Sequence, residues 1–142
     1  MQDQQQPTRP EPTDGTAGGA ILAEISNEMV RLYKDYFGRG PTKARTSWAG
    51  ADTVLCILED TLAPAERNLV EMGEHHRLRD TRMFFQYATV PEFGEPVERL
   101  TGRKIKAFIS GIDTEAAGLS VELFVLYPQG SDQPSRLELA QA

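Results

Sequence analysis

Three cations lie close together in this chain: Arg39 inside the turn Gly38-Arg39-Gly40, then Lys43 and Arg45 two residues apart. Residues two apart on a strand share a face, so Lys43 and Arg45 point the same way. The turn before them exposes backbone amides that can also face an anion. Arginine grips a phosphate or carboxylate through two parallel N–H bonds, which makes Arg45 the stronger contact of the strand pair. The plain alternative is a solvated face whose charges blunt an edge strand. A second, weaker basic group is Arg79 and Arg82, three apart and so on one side of a helix, with Arg77, Arg99 and Arg103 near them in sequence. It suits an acidic partner or anionic lipid heads, and equally it can pair with Asp80 and Glu74.

Other chemistry is thinner. His75 and His76 are the only histidines, with Glu71 four residues before the first; a metal wants three or four convergent ligands, so no metal site is assigned. The lone cysteine, Cys56, sits in Val54-Leu55-Cys56-Ile57-Leu58 and reads as a small buried hydrophobe, since a reactive thiol needs exposure and a nearby positive group. Asp113 and Glu115 offer too few oxygens for a calcium loop. There is no phosphate-binding glycine loop, dinucleotide fingerprint or serine elbow. No catalytic residue is assigned and no cofactor is expected, although paired carboxylates are a spatial feature that a sequence does not reveal.

These residues must be positioned by a short series of elements. Ile21, Leu22, Ile25, Met29, Leu32, Tyr33 and Tyr36 recur every three or four positions and predict an amphipathic helix, which Gly38, Gly40 and Pro41 end. Thr42–Ala49 and Thr53–Leu58 predict a hairpin, with Ala44, Thr46 and Trp48 opposite Lys43, Arg45 and Ser47. Trp48 reads as a core or oligomer contact. Pro64 suits the first position of a second helix and Glu66 the positive end of its dipole. His76–Thr89 predicts another helix. Val90-Pro91 and Gly94-Glu95-Pro96 predict a break at about 90–95 and a short helix from Pro96 to Leu100. Lys104–Ile109 and Leu119–Tyr127 form a last hairpin, in which Ile105, Ala107 and Ile109 share one face, and Glu122, Phe124 and Leu126 share another. The sum is an α+β fold: helix, hairpin, helices, hairpin, with a four-stranded, mostly antiparallel sheet and helices packed on one face.

Of 142 residues, 1–19 are rich in Gln, Pro, Thr and Gly and read as a disordered tail, 20–128 as the folded domain, and 129–142 as a flexible tail in which Leu137 and Leu139 can dock. The net charge is −6, half of it in the two tails. The mildly acidic remainder argues against general nucleic-acid binding. No apolar run approaches the ~20 residues that span a bilayer. With no secretory leader and one cysteine, the expected location is the cytoplasm.

The order Gly38-Arg39-Gly40-Pro41, basic strand, apolar strand, Leu62-Ala63-Pro64-Ala65-Glu66 resembles the DUF2294 family, also called the MpsC family. Val97-Glu98-Arg99-Leu100-Thr101-Gly102-Arg103 before two strands fits the same pattern, so the resemblance spans roughly residues 20 to 127. The family carries threonine where this chain has Ala63, which would complete a capping box with Glu66; Thr61 is the substitute cap here. The resemblance implies a soluble, non-enzymatic accessory or regulatory subunit of a sodium-translocating, membrane-potential-generating system. It supplies no catalytic or ligand residues. The sheet, apolar on both faces, predicts a homodimer, and a membrane-protein complex is the implied partner, without direct membrane insertion. The alternative is an anion- or nucleotide-binding sensor that uses Arg39, Lys43 and Arg45.

Overall fold

Ile25, Met29, Leu32 and Tyr33 are buried along one side of α1 (Pro12–Phe37), which lies across a four-stranded sheet in a computed structural model that describes residues 12–140. β1 (Lys43–Trp48) and β2 (Thr53–Glu59) form the first hairpin; β3 (Ile105–Asp113) and β4 (Leu119–Leu126) form the second. All pairings are antiparallel and the order is β1-β2-β4-β3, so the inner strand of each hairpin joins the two. Between the hairpins run α2 (Pro64–Glu71), α3 (His75–Ala88) and α4 (Val90–Thr101); α5 (Arg136–Ala140) follows β4. This is the expected α+β class with an open antiparallel sheet.

The period-2 rule divides the sheet cleanly. Val54, Cys56 and Leu58 of β2 and Phe124 and Leu126 of β4 are buried beneath α1 and α4, while Leu55, Ile57, Val121, Leu123 and Val125 face the other way and are half-buried. Gly38, at φ +75°, ends α1 as expected, its N–H returning to Lys34 O at 2.9 Å.

Four local expectations change. First, α1 begins at Pro12, so residues 12–19 of the expected tail are helical; residues 1–11 of that tail lie outside the described residues. Second, the break falls at Thr89, and Val90–Thr101 is one helix. Pro91 sits in its first turn, where a missing N–H costs nothing; Pro96 lies inside the helix, buried along with Phe93 and Val97 of the same helix, and removes one i→i−4 bond without ending it. Third, a bulge between Ile105 and Ala107 shifts the phase of β3. Phe108 therefore joins Ile105 inside, while Ile109 turns outward and is 58% exposed. Fourth, the segment after β4 is held down. Ser135 Oγ donates to Glu98 Oε2 at 2.6 Å, and Leu137 packs on the core where Gly94 leaves room.

A Cβ on Gly94 would lie 2.4 Å from Leu137 Cδ2 and 3.0 Å from Ile105 Cδ1. Gly94→Ala should cost about 1–3 kcal/mol, the range for overpacking. Adding Leu137→Ala should recover most of it in urea titrations, because the closest clash is with that side chain.

Candidate functional site

A buried polar cluster lies between the sheet and α3, beside a cavity of about 220 Å³. Its floor is Glu122 of β4, which faces inward with Ser120 and Phe124 because the three alternate on one strand. The Glu122 side chain is 2% exposed, and only one of its oxygens is engaged: Tyr33 Oη donates to Oε2 at 2.5 Å. Oε1 has no hydrogen-bond partner among the described residues. Burial pushes the Glu122 carboxyl up from 4.5 to about 7; hydrogen bonding from Tyr33 and from Ser110, its cross-strand neighbour on β3, and the Arg82 charge pull the other way without cancelling it. Burial, and then the neighbouring carboxylate, likewise raise the Tyr33 phenol well above its ordinary value.

Arg82 of α3 completes the cluster. Its Nε and Nη2 donate to the two oxygens of Glu66 at 2.6 and 2.9 Å, a fork-on-fork geometry that fixes direction as well as charge. Nη2 also reaches Thr61 O at 3.0 Å. The guanidinium lies over the Phe37 ring, 4.2 Å from its centroid. Glu66 holds a second duty, since its Oε1 accepts the Ala63 N–H at 2.8 Å at the start of α2. That is half of a capping box; alanine has no side-chain oxygen for the other half. Thr61 does not substitute as the cap. It is fully buried, and its hydroxyl donates to Gly118 O, tying the entry of α2 to the β3–β4 loop.

Above this floor the cavity walls are aromatic and apolar: Phe37, Phe85, Phe93, Phe108, Met83 and Ile112. Phe93 contacts both Tyr33 and Phe108, at ring-centroid distances of 5.9 and 6.3 Å. Arg79, Gln86, Thr89 and Ser110 supply the remaining polar groups. An apolar chamber with a few convergent polar atoms is the usual form of a small-molecule site.

The residues singled out from sequence are dispersed. Arg45 pairs with Glu59 at 2.6 Å on the open sheet face, and Arg39 with Asp60 at 2.6 Å. Asp60 also holds Arg67 at 3.1 Å. Lys43 shares the exposed side of β1 with Arg45, so the strand pair does share a face, but both arginines already have carboxylates. Arg79 is exposed, whereas Arg82 is buried: it is the hub of the cluster and not part of a basic surface. The helical phase carried that signal, because Arg82 is four residues from the fully buried Leu78. Cys56 is buried and its thiol is pushed up to about 11, chiefly by that burial. His75 Nδ1 meets Thr114 Oγ1 at 2.6 Å, and among the described residues no group of three His, Cys, Asp or Glu gathers around a metal position. Trp48 is 39% exposed at the sheet's end, with Arg103 5.9 Å from its ring. No helix of the described residues is long and apolar enough to cross a membrane.

Residues 18–127 match the family described as Na+-translocating membrane potential-generating system (MpsC). Over 109 residues the chain is 28% identical to the uncharacterized protein YbcI of Bacillus subtilis (strain 168), covering 76% of this chain and 86% of that relative. No solved structure matches the chain. Among the described residues the matched region takes in every strand and the four longer helices, from the body of α1 to the end of β4. The chain belongs to the MpsC family.

Proposed function

We propose that this chain is a non-enzymatic accessory or regulatory subunit that works as a homodimer, attached to a sodium-translocating, membrane-potential-generating system of the kind its family description names. The observation that carries this reading is the open face of the sheet. Leu55, Leu123 and Ile109 form one cross-strand row there, and Thr53, Val125 and Ala107 the next. The buried core lies wholly on the opposite face. An apolar sheet face of this kind supports a protein-binding role.

A second copy is the occupant that the charges favour. Lys43 lies on the open face at one edge strand, beside an Arg45 already matched by Glu59, and Asp113 lies on the same face at the other edge, toward the same end as Lys43. A two-fold axis along the strands, between two such faces, sets Lys43 of one copy opposite Asp113 of its partner. The apolar rows then meet in the centre. The anion-sensor reading of Arg39, Lys43 and Arg45 is the weaker one, because an anion would have to displace Asp60 and Glu59 from the two arginines.

Purification of the tagged chain from its native host with membranes retained tests the accessory role. A membrane-protein partner should accompany the wild type in fixed proportion and be lost from Leu123→Lys. Recovery of the bait alone from both would count against it.

A further inference from the structure

We propose a second binding site, independent of the sheet face: the cavity beneath α3 takes a small amine with an apolar body, whose N–H donates to Glu122 Oε1. Three observations lead there. Glu122 lines the cavity, is 2% exposed, and has one oxygen without a partner among the described residues. A buried acceptor left unpaired carries a desolvation cost that a donor from a ligand removes. The walls supply aromatic surface from Phe85, Phe93 and Phe108, which accepts both an apolar body and a positive charge. At about 220 Å³ the chamber lies below the ~300–1,000 Å³ of drug-sized sites, so the ligand is small.

The charge balance favours a cation. Arg82, the nearest positive group, is already matched by Glu66 through two hydrogen bonds. Arg79 stands at the rim, exposed and screened by solvent. From the other packed elements, α1 presents the Tyr33 phenol, β2 the Cys56 thiol and β3 the Ser110 hydroxyl, the last two opposite Glu122 in the strand register. Burial holds phenol and thiol in their neutral forms, and the uncharged Ser110 hydroxyl favours the ionised carboxylate without balancing its charge. An ionised Glu122 is therefore the one negative charge in the chamber without its own counter-ion. Its carboxyl, raised to about 7 by burial, is poised for an amine to draw it into the ionised form.

Calorimetric titration of the full chain at pH 7.5 with 2-phenylethylamine, 2-phenylethanol and 3-phenylpropanoate tests the proposal. Both ligands can donate a hydrogen bond to the carboxylate, so the amine's positive charge should set the difference, and the amine should bind at least about tenfold more tightly than the alcohol. Glu122→Gln should remove that preference while leaving the alcohol's weak binding in place. Met83→Trp, a change at a half-exposed wall position, should block both while leaving the circular dichroism unchanged. Equal binding of amine and alcohol, an amine preference that survives Glu122→Gln, or tighter binding of the carboxylate drawn by Arg79 would each overturn the proposal. So would the absence of amine binding.

Discussion

At pH 8 the Glu122→Gln variant should be more stable than the wild type by about 3 kcal/mol, and at pH 5 by less than about 1 kcal/mol. The folded carboxyl is raised to about 7 from an unfolded value near 4.5. Below the unfolded value both states hold the proton and the group costs nothing. As pH climbs between the two values the unfolded chain releases its proton first, so wild-type stability falls. The fall is complete once pH passes the folded value. A glutamine mimics the protonated acid at every pH and lacks this slope. Urea titrations of both proteins at pH 5 and pH 8 measure the difference directly. Two curves falling in parallel would mean that Glu122 is not protonated near neutrality in the folded state.

Arg82→Met should be the most damaging single change in the cluster, at about 3–5 kcal/mol, the cost of leaving one half of a buried ion pair alone. Glu66 would remain in a side-chain environment only 13% exposed, without its cation. Thr61 O would lose its guanidinium donor at the same time. Methionine keeps much of the contact with Phe37, so the loss reports charge and hydrogen bonding more than volume. Glu66→Gln in the same chain should recover part of it, because Gln Oε1 can still accept the Ala63 N–H while no unpaired charge remains. A double-mutant cycle should give a coupling of about 2 kcal/mol or more, within the range for directly bonded neighbours. Simple additivity would show that the pair contributes packing alone.

The fold was legible because local signals agreed with one another. The three-and-four spacing from Ile21 to Tyr36, the glycine stop at Gly38 and the alternating hairpins each name one element. What was less legible depends on partners far away in sequence. Pro91 and Pro96 read as a break, yet Pro91 falls in a first turn and Pro96 is a buried residue inside a continuous helix. The bulge at β3 reversed the side of Ile109 with no glycine or proline to announce it. The functional cluster was half visible. Glu122 alternates with Phe124 and Leu126, which is the pattern of a carboxylate on an apolar face, but its meaning appears only when Tyr33, 89 residues away, donates to it. By spacing alone Arg82 groups with Arg79 on one side of a helix. Its burial follows from Glu66, which is 16 residues earlier in a different helix.

Sedimentation velocity of the purified chain at micromolar concentration tests the central claim, that the open sheet face joins two copies. The wild type should sediment as a dimer of the 15.8 kDa chain, and Leu123→Lys, a charge set into the central apolar row, as a folded monomer with the same circular dichroism. A wild-type monomer, or a dimer indifferent to Leu123→Lys, would contradict the assignment of that face.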